Sequence, residues 1–278
     1  MDKITIIREN GIEEIMIEED IPKLIFGESD AHSQKKERKS IGRALVETGL
    51  DVYATNTPWP NDAYVLNNGL VLPEIEFRDL AHSGNYLFGD GFILVSTAIR
   101  DDLEKRLKDS EHFRRFLEGK EIVFVPPYSG IIMGMEGSGL KPRHIDLTMG
   151  YIPNAKVLSV DEKHYRQEKR IFDDLVRRFG ISVNITDHEN YYPNNFFAFS
   201  DNGHSTVIAN RYNNPLSNRS NGFIVIETDI DILNLPGKFF GSVKCAVNIT
   251  PTTKLWDALG IEYRRWGVNP QQANYAPR

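Results

Sequence analysis

The chain has 278 residues, 40% of them hydrophobic and 26% charged, with a formal net charge of −6. Such a length supplies a proper core as one large domain or two small ones, and the acidic balance argues against a general phosphate-backbone binder. No apolar run reaches the length of a bilayer span, the start Met1-Asp2-Lys3-Ile4-Thr5 lacks the plan of a signal peptide, and a single cysteine, Cys245, excludes an internal disulfide and a Cys-based zinc site. A cytoplasmic protein is expected, with no nucleic-acid or membrane partner and with a homo-oligomer left open.

In chain order, residues 3–7 and 13–17 read as two short strands joined at Asn10-Gly11, a hairpin signal. Lys35 to Glu47 reads as a helix, with Ile41, Ala44, Leu45 and Thr48 at helical spacing; Gly49 stops it and a strand follows from Leu50 to Ala54. The same phrase recurs. Asp101 to Leu117 reads as an amphipathic helix, Gly119 ends it, and Glu121 to Val125 is a strand. Lys163 to Phe179, Gly180 and Ile181 to Ile185 make a third copy. Thr252 to Leu259, Gly260 and Ile261 to Arg264 make a shorter fourth. Helix, glycine, strand, four times over, is an internal repeat of a supersecondary unit.

A second kind of segment alternates with it. Trp59-Pro60-Asn61-Asp62 leads through Asn67-Asn68-Gly69 into an apolar strand, Leu70 to Leu72. Tyr192-Pro193-Asn194-Asn195 echoes it and leads into Thr206 to Ala209. Gly84 to Val95 reads as a strand–turn–strand hairpin, and Ser220 to Glu227 holds a further glycine-led strand. The Asn-rich stretch Asn210 to Asn221 reads as a mobile loop and Gly130 to Gly139 as a lid-like loop. About five such units in one chain can close into a ring, which converges residues distant in sequence at its axis.

Four polar residues stand at comparable places in these units. Asp62 follows Trp59-Pro60-Asn61. His144 and Asp146 lie in Pro142-Arg143-His144-Ile145-Asp146; in an extended segment, residues two apart share a face. Cys245 lies in Gly241-Ser242-Val243-Lys244-Cys245, just before an apolar strand. A thiolate is a nucleophile, an imidazole shuttles protons, and two carboxylates grip a planar cation by charge-assisted hydrogen bonds. Attack on a guanidinium carbon needs that set. Each residue also has an ordinary use: a lone Cys is most often a small buried hydrophobe, and Asp62 suits a turn brace. His164 and the Lys163–Arg170 run read as a solvated helix face. No HExxH, Walker or Rossmann fingerprint is present.

From Trp59 to Thr250 the order of these motifs resembles the guanidine-modifying pentein superfamily: agmatine and arginine deiminases, dimethylarginine dimethylaminohydrolases and amidinotransferases. The resemblance implies an α/β fold, a five-bladed propeller of ββαβ units, with residues 1–278 as one catalytic domain. It implies a covalent mechanism with no metal and no cofactor, acting on a small cationic guanidino substrate. Cys245 would attack the guanidinium carbon to give a thiouronium adduct, His144 would serve as acid and base, and Asp62 and Asp146 would hold the nitrogens. The adduct would pass to water, as in a hydrolase, or to an amine, as in an amidinotransferase. Two departures stand out. Asn61 replaces the Arg that deiminases usually carry before the first acid. His82-Ser83-Gly84-Asn85 replaces a Glu-Gly-Gly-Asp/Asn segment, which makes His82 and Asn85 candidate substrate-binding residues and leaves Glu74, Glu76, Asp79 or Glu136 to supply the acid. Arg143, Arg211 and Arg219 are candidates for a substrate carboxylate. The alternative is a non-catalytic binding protein on the same scaffold, of the ribosome-associated kind. The blandest reading is an α/β protein whose cysteine is core.

Overall fold

The computed structural model describes residues 3–17, 21–28, 35–57, 59–128, 144–187, 194–201, 203–210, 216, 222–229, 233–235 and 239–267. The expected lid 130–139, most of the Asn-rich loop, and Glu136, Arg143, Arg211, Arg219, Tyr192 and Pro193 lie outside these residues.

Five sheets share one plan: an antiparallel pair whose second strand runs parallel to a third. Three are formed in chain order. They are Tyr86–Phe88, Phe92–Ser96 and Glu121–Val125; Met149–Ile152, Val157–Asp161 and Ser182–Thr186; and Phe197–Asp201, His204–Asn210 and Phe223–Thr228. The other two are completed from the ends of the chain. Lys3–Arg8 runs parallel to Leu70–Pro73 of the hairpin begun by Tyr64–Asn67. Val247–Thr250 pairs antiparallel with Lys23–Gly27, which runs parallel to Asp51–Thr55. Parallel neighbours need a long crossover, and helices supply it between Lys23–Gly27 and Asp51–Thr55, between Phe92–Ser96 and Glu121–Val125, and between Val157–Asp161 and Ser182–Thr186. Helix Lys35–Val46, for example, packs Ile41, Ala44 and Leu45 against Leu24, Phe26, Val52 and Ala54.

The helix–glycine–strand phrase is present four times. Gly49, Gly119, Gly180 and Gly260 each take φ between +62° and +77°, the left-handed turn that a side chain resists. Three details differ from the sequence reading. The second helix divides into Arg100–Asp109 and Glu111–Phe116, because the Ser110 hydroxyl accepts from Phe113 N and caps a new start. The third divides likewise at Glu168. In the fourth copy the strand Tyr263–Arg265 is not parallel: Lys23–Gly27 already pairs with Val247–Thr250, so it adds antiparallel to the open edge of Asp51–Thr55.

His164 is not on a solvated face. It is fully buried, 2.7 Å from Thr148 Oγ1 and 2.9 Å from Pro126 O, and burial pushes its pKa down to about 4. Thr148 in turn closes the turn that carries His144 and Asp146, by bonds from its N and Oγ1 to Ile145 O. Among the described residues no helix is long and apolar enough to cross a membrane.

Trp256 locks the C-terminal segment to the rest. Its ring is fully buried, edge-on to Tyr53 and Tyr263, and its Nε1–H donates to Tyr64 Oη at 3.0 Å. Trp256→Ala is expected to cost roughly 3–5 kcal/mol, whereas Tyr64→Phe, which removes the bond from Trp256 and a longer one, 3.4 Å, to Ile249 O, is expected to cost about 1–3 kcal/mol. Urea titration of the three proteins measures both.

Candidate active site

Three short turns build the site. The first is the Pro60–Asp62 turn, started by a proline that presets φ and closed by Asp62 N donating to Trp59 O at 3.0 Å. Asp62 as a residue is half-buried, yet its Oδ1 is cut off from water. The second is the turn over residues 145–148, with Asp146 fully buried at its tip. The third is the single helical turn Val243–Ala246, which carries Cys245 immediately before the strand Val247–Thr250.

His144 and Asp146 therefore meet in a way the sequence reading did not foresee. Their segment is a turn, not an extended strand. Ile145 N and Asp146 N both donate to Gly84 O, at 2.9 and 3.3 Å. A Cβ on Gly84 would stand 2.6 Å from His144 Nδ1 and 2.9 Å from Asp146 Oδ1. Glycine at position 84 is what lets the two side chains close over that backbone.

Asn195 joins the second turn to the third. It is buried, its Nδ2 donates to Asp146 O at 2.9 Å, and its Oδ1 accepts from Ser242 N at 3.1 Å and from Cys245 Sγ at 3.6 Å. Its own carbonyl accepts from Lys244 N at 3.2 Å. Sequence reasoning did not assign Asn195, although the echo of Pro60-Asn61-Asp62 in Pro193-Asn194-Asn195 set it where Asp62 stands in the other copy. Asn248 joins the third turn to the first, donating from Nδ2 to Pro60 O at 2.9 Å.

The charges converge accordingly. Burial first, and then the charge of Asp146, push the Asp62 carboxyl up, against the pull of His144, His82 and Lys244. Burial, then Asp146 and Asp62, push the Cys245 thiol well up, against the Ser242 N–H and Lys244. Cys245 is 5% exposed. The resting thiol is thus buried and held protonated, and the positive charge of Lys244 is outweighed. Lys244, also missed in the sequence, lies with Nζ 3.1 Å from Asp146 Oδ2, an ion pair whose angles fall short of a hydrogen bond. Arg38, buried over the Trp59 ring and donating to Gly27 O, adds a further cation; burial lowers its pKa to about 10, against the opposing pull of a charge on Cys245.

The segment at 82–85 departs from the expected acid in an informative way. His82 Nδ1 lies 3.2 Å from His144 Nε2, and His82 Nε2 lies 3.5 Å from Glu74 Oε1. Of the candidate acids, Glu74 backs His82. Glu76 instead binds Arg8 and the backbone of Glu9, and Asp79 lends its carbonyl to Asn85. Asn85 is fully buried and spends its Nδ2 on that bond.

Buried polar atoms without a hydrogen-bond partner among the described residues gather here: Asp62 Oδ1, both carboxylate oxygens of Asp146, Asn61 Nδ2, Asn85 Oδ1 and Lys244 Nζ. Leaving one such group unmade typically costs about 1–3 kcal/mol. Three of these six atoms are carboxylate oxygens, which only accept, so a cation rich in N–H donors would complement them.

Two expectations follow. The folded Asp62 carboxyl titrates above its unfolded value of 3.8. Above that value the native state binds more protons than the unfolded chain, so this residue lowers stability as pH rises through the window between the two. Asp62→Asn is therefore expected to be more stable than the wild type at pH 7, with the gap closing in acid; urea titrations across pH measure it. The two carboxylates should also select a cationic reagent. Relative to free cysteine, Cys245 is expected to react faster with chloroacetamidine than with neutral chloroacetamide, and to lose that preference in Asp62→Asn.

No protein-family model and no curated protein sequence matches the chain. Solved structures do. A dimethylarginine dimethylaminohydrolase, as its adduct with 4-chloro-2-hydroxymethylpyridine, superposes with a TM-score of 0.52 at 11% identity, over 83% of this chain and 100% of that one. ArgZ, an arginine dihydrolase from the ornithine–ammonia cycle in cyanobacteria, gives 0.50 at 15% identity over 75% of this chain and 36% of its own length. At such identities the likeness concerns the fold. In its α/β fold of mixed sheets, the chain resembles the guanidine-modifying pentein enzymes.

Proposed function

We propose that the chain is a guanidino-group hydrolase, acting on a small arginine-like cation as one catalytic domain of residues 1–278. The observation that carries this reading is the pair of carboxylates, Asp62 and Asp146, whose buried oxygens lack a hydrogen bond among the described residues, beside the only thiol in the sequence. The dimethylarginine and arginine hydrolases among the structural neighbours support the same substrate class. Five sheets of one plan, two of them completed by strands from the chain's ends, support a closed five-bladed ring around the site. A cytoplasmic setting, which keeps the thiol reduced, suits the chemistry.

The residues divide the work. Asp62 and Asp146 accept hydrogen bonds from the guanidinium nitrogens and hold the planar cation with its carbon toward Cys245. The cation offsets the two charges that add to burial in raising the thiol, so bound substrate favours its ionisation. The sulfur attacks the carbon and a C–S bond forms. His144 carries the thiol's proton to the departing nitrogen and the C–N bond breaks, leaving a thiouronium adduct. His144 then takes a proton from water, whose oxygen attacks the same carbon. The C–S bond breaks, His144 returns its proton to the sulfur, and the ureido product leaves, its remaining proton passing to the amine released in the first step, which ends as an ammonium ion. A non-catalytic binding scaffold has no use for a thiol, an imidazole and two desolvated carboxylates at one point.

Incubation with a panel of guanidino compounds, followed by acid quench and intact-mass analysis, tests the proposal. Wild type is expected to convert at least one compound. Cys245→Ser should form no adduct, and His144→Ala, lacking a group worth roughly 10²–10⁴-fold in rate, should accumulate one on Cys245. Wild-type turnover by His144→Ala would remove the acid/base assignment, and turnover by Cys245→Ser would remove the covalent mechanism.

A further inference from the structure

Glu74, His82 and His144 form a file that leads from the surface to the buried carboxylates. Glu74 opens the one-turn helix Glu74–Phe77, and its N–H donates to Ala63 O at 2.9 Å, one residue past Asp62. Its carboxylate side chain is 43% exposed, that of His82 27%. The carboxylate stands 3.5 Å from His82 Nε2, and His82 Nδ1 stands 3.2 Å from His144 Nε2. The two rings meet edge to face, with centroids 5.4 Å apart at 79°.

Hydrogen-bond bookkeeping along this file has one solution for two neutral rings. An ionised carboxylate only accepts, so His82 donates its Nε2–H to Glu74. A neutral imidazole has one donor and one acceptor nitrogen, so His82 Nδ1 must accept. His144 therefore keeps its proton on Nε2. Its Nδ1 is left with the lone pair, at the position beside Asp146 Oδ1 that the absent side chain of Gly84 leaves clear.

We propose that Glu74 and His82 are positioning residues: Glu74 fixes the tautomer of His82, and His82 that of His144, so that His144 offers Nδ1 as its basic nitrogen. This rests on the acid/base role given to His144 above. It assigns the acid that His82 displaced: the carboxylate is present one imidazole further out, and it acts through that ring.

The arrangement can be read in the resting protein, without substrate. Two-bond 15N–1H spectra of protein labelled at its seven histidines report which ring nitrogen carries hydrogen. In wild type, His82 and His144 are each expected to show a protonated Nε2 and a bare Nδ1. In Glu74→Ala both are expected to shift toward a tautomer mixture, although position 74 touches only His82 of the pair. An unchanged His144 in Glu74→Ala would overturn the proposal and reduce the His82–His144 contact to ring packing. The kinetic arm needs an established substrate. Glu74→Ala is expected to lower kcat on the order of 10-fold with KM little changed, less than the roughly 10⁴-fold that a wrong tautomer held directly on the base costs, because Glu74 acts one ring further out and leaves a tautomer mixture. His82→Glu sets a carboxylate directly against His144 Nε2; in that background Glu74→Ala should have lost its effect on kcat, and an equal loss in both backgrounds would show a role other than tautomer control. If no guanidino compound is turned over but the spectra behave as expected, the function falls and the relay stands; the reverse result separates them the other way.

Discussion

Two carboxylates taken out of water beside a thiol are the constraint on which the rest of this site depends. An ionised group in such a place is costly unless it is paired. Asp146 has an ion pair with Lys244, whereas no hydrogen bond among the described residues reaches Asp62 Oδ1, and burial drives its carboxyl up. The protein tolerates this because other parts are over-determined: Asn195 ties the Asp146 turn to the Cys245 turn, Asn248 ties the strand after Cys245 to Pro60, and a fully buried Trp256 secures the following helix. Strain at the site is held by packing around it, as expected where a site is preorganised for a charge that arrives later.

The same charges decide the state of the sulfur. A thiolate beside two carboxylates would be the third negative charge in a buried space, so the resting thiol keeps its proton. Under the proposed function, reactivity would be conditional on a cation. That gives a physical account of selectivity in which the substrate's charge, rather than a permanently activated nucleophile, gates the chemistry. Lys244 supplies part of the positive charge at rest; it forms its ion pair with Asp146 and acts on Asp62 only as a weaker pull beside those of His144 and His82.

Repetition explains how residues so far apart in sequence arrive together. Each sheet repeats an antiparallel pair and a parallel third strand, and the short turns before these strands carry the polar residues. Asn61-Asp62 and Asn194-Asn195 are equivalent places in two copies. One became a carboxylate that faces the site, the other an amide that clamps it. An amide can donate and accept at once, which a carboxylate cannot, so Asn195 is able to bridge Asp146 O and Cys245.

The sequence by itself determined the local grammar of this protein. Helical spacing ended by glycine marked the repeat, because a left-handed residue after an amphipathic run has few other uses, and the lone cysteine, Asp62, His144 and Asp146 were legible as a set because guanidinium chemistry needs those groups. Tertiary structure alone decided what depends on neighbours distant in the chain. It set the ends of the chain into two of the sheets, turned the fourth strand antiparallel, and folded His144–Asp146 as a turn over Gly84. It made His164 a buried prop where its charged neighbours suggested solvent. It brought Asn195, Lys244 and Arg38 to the thiol, and placed Glu74 behind His82. Burial and charge proximity are sums over contacts between segments up to 250 residues apart, and no local pattern encodes such a sum.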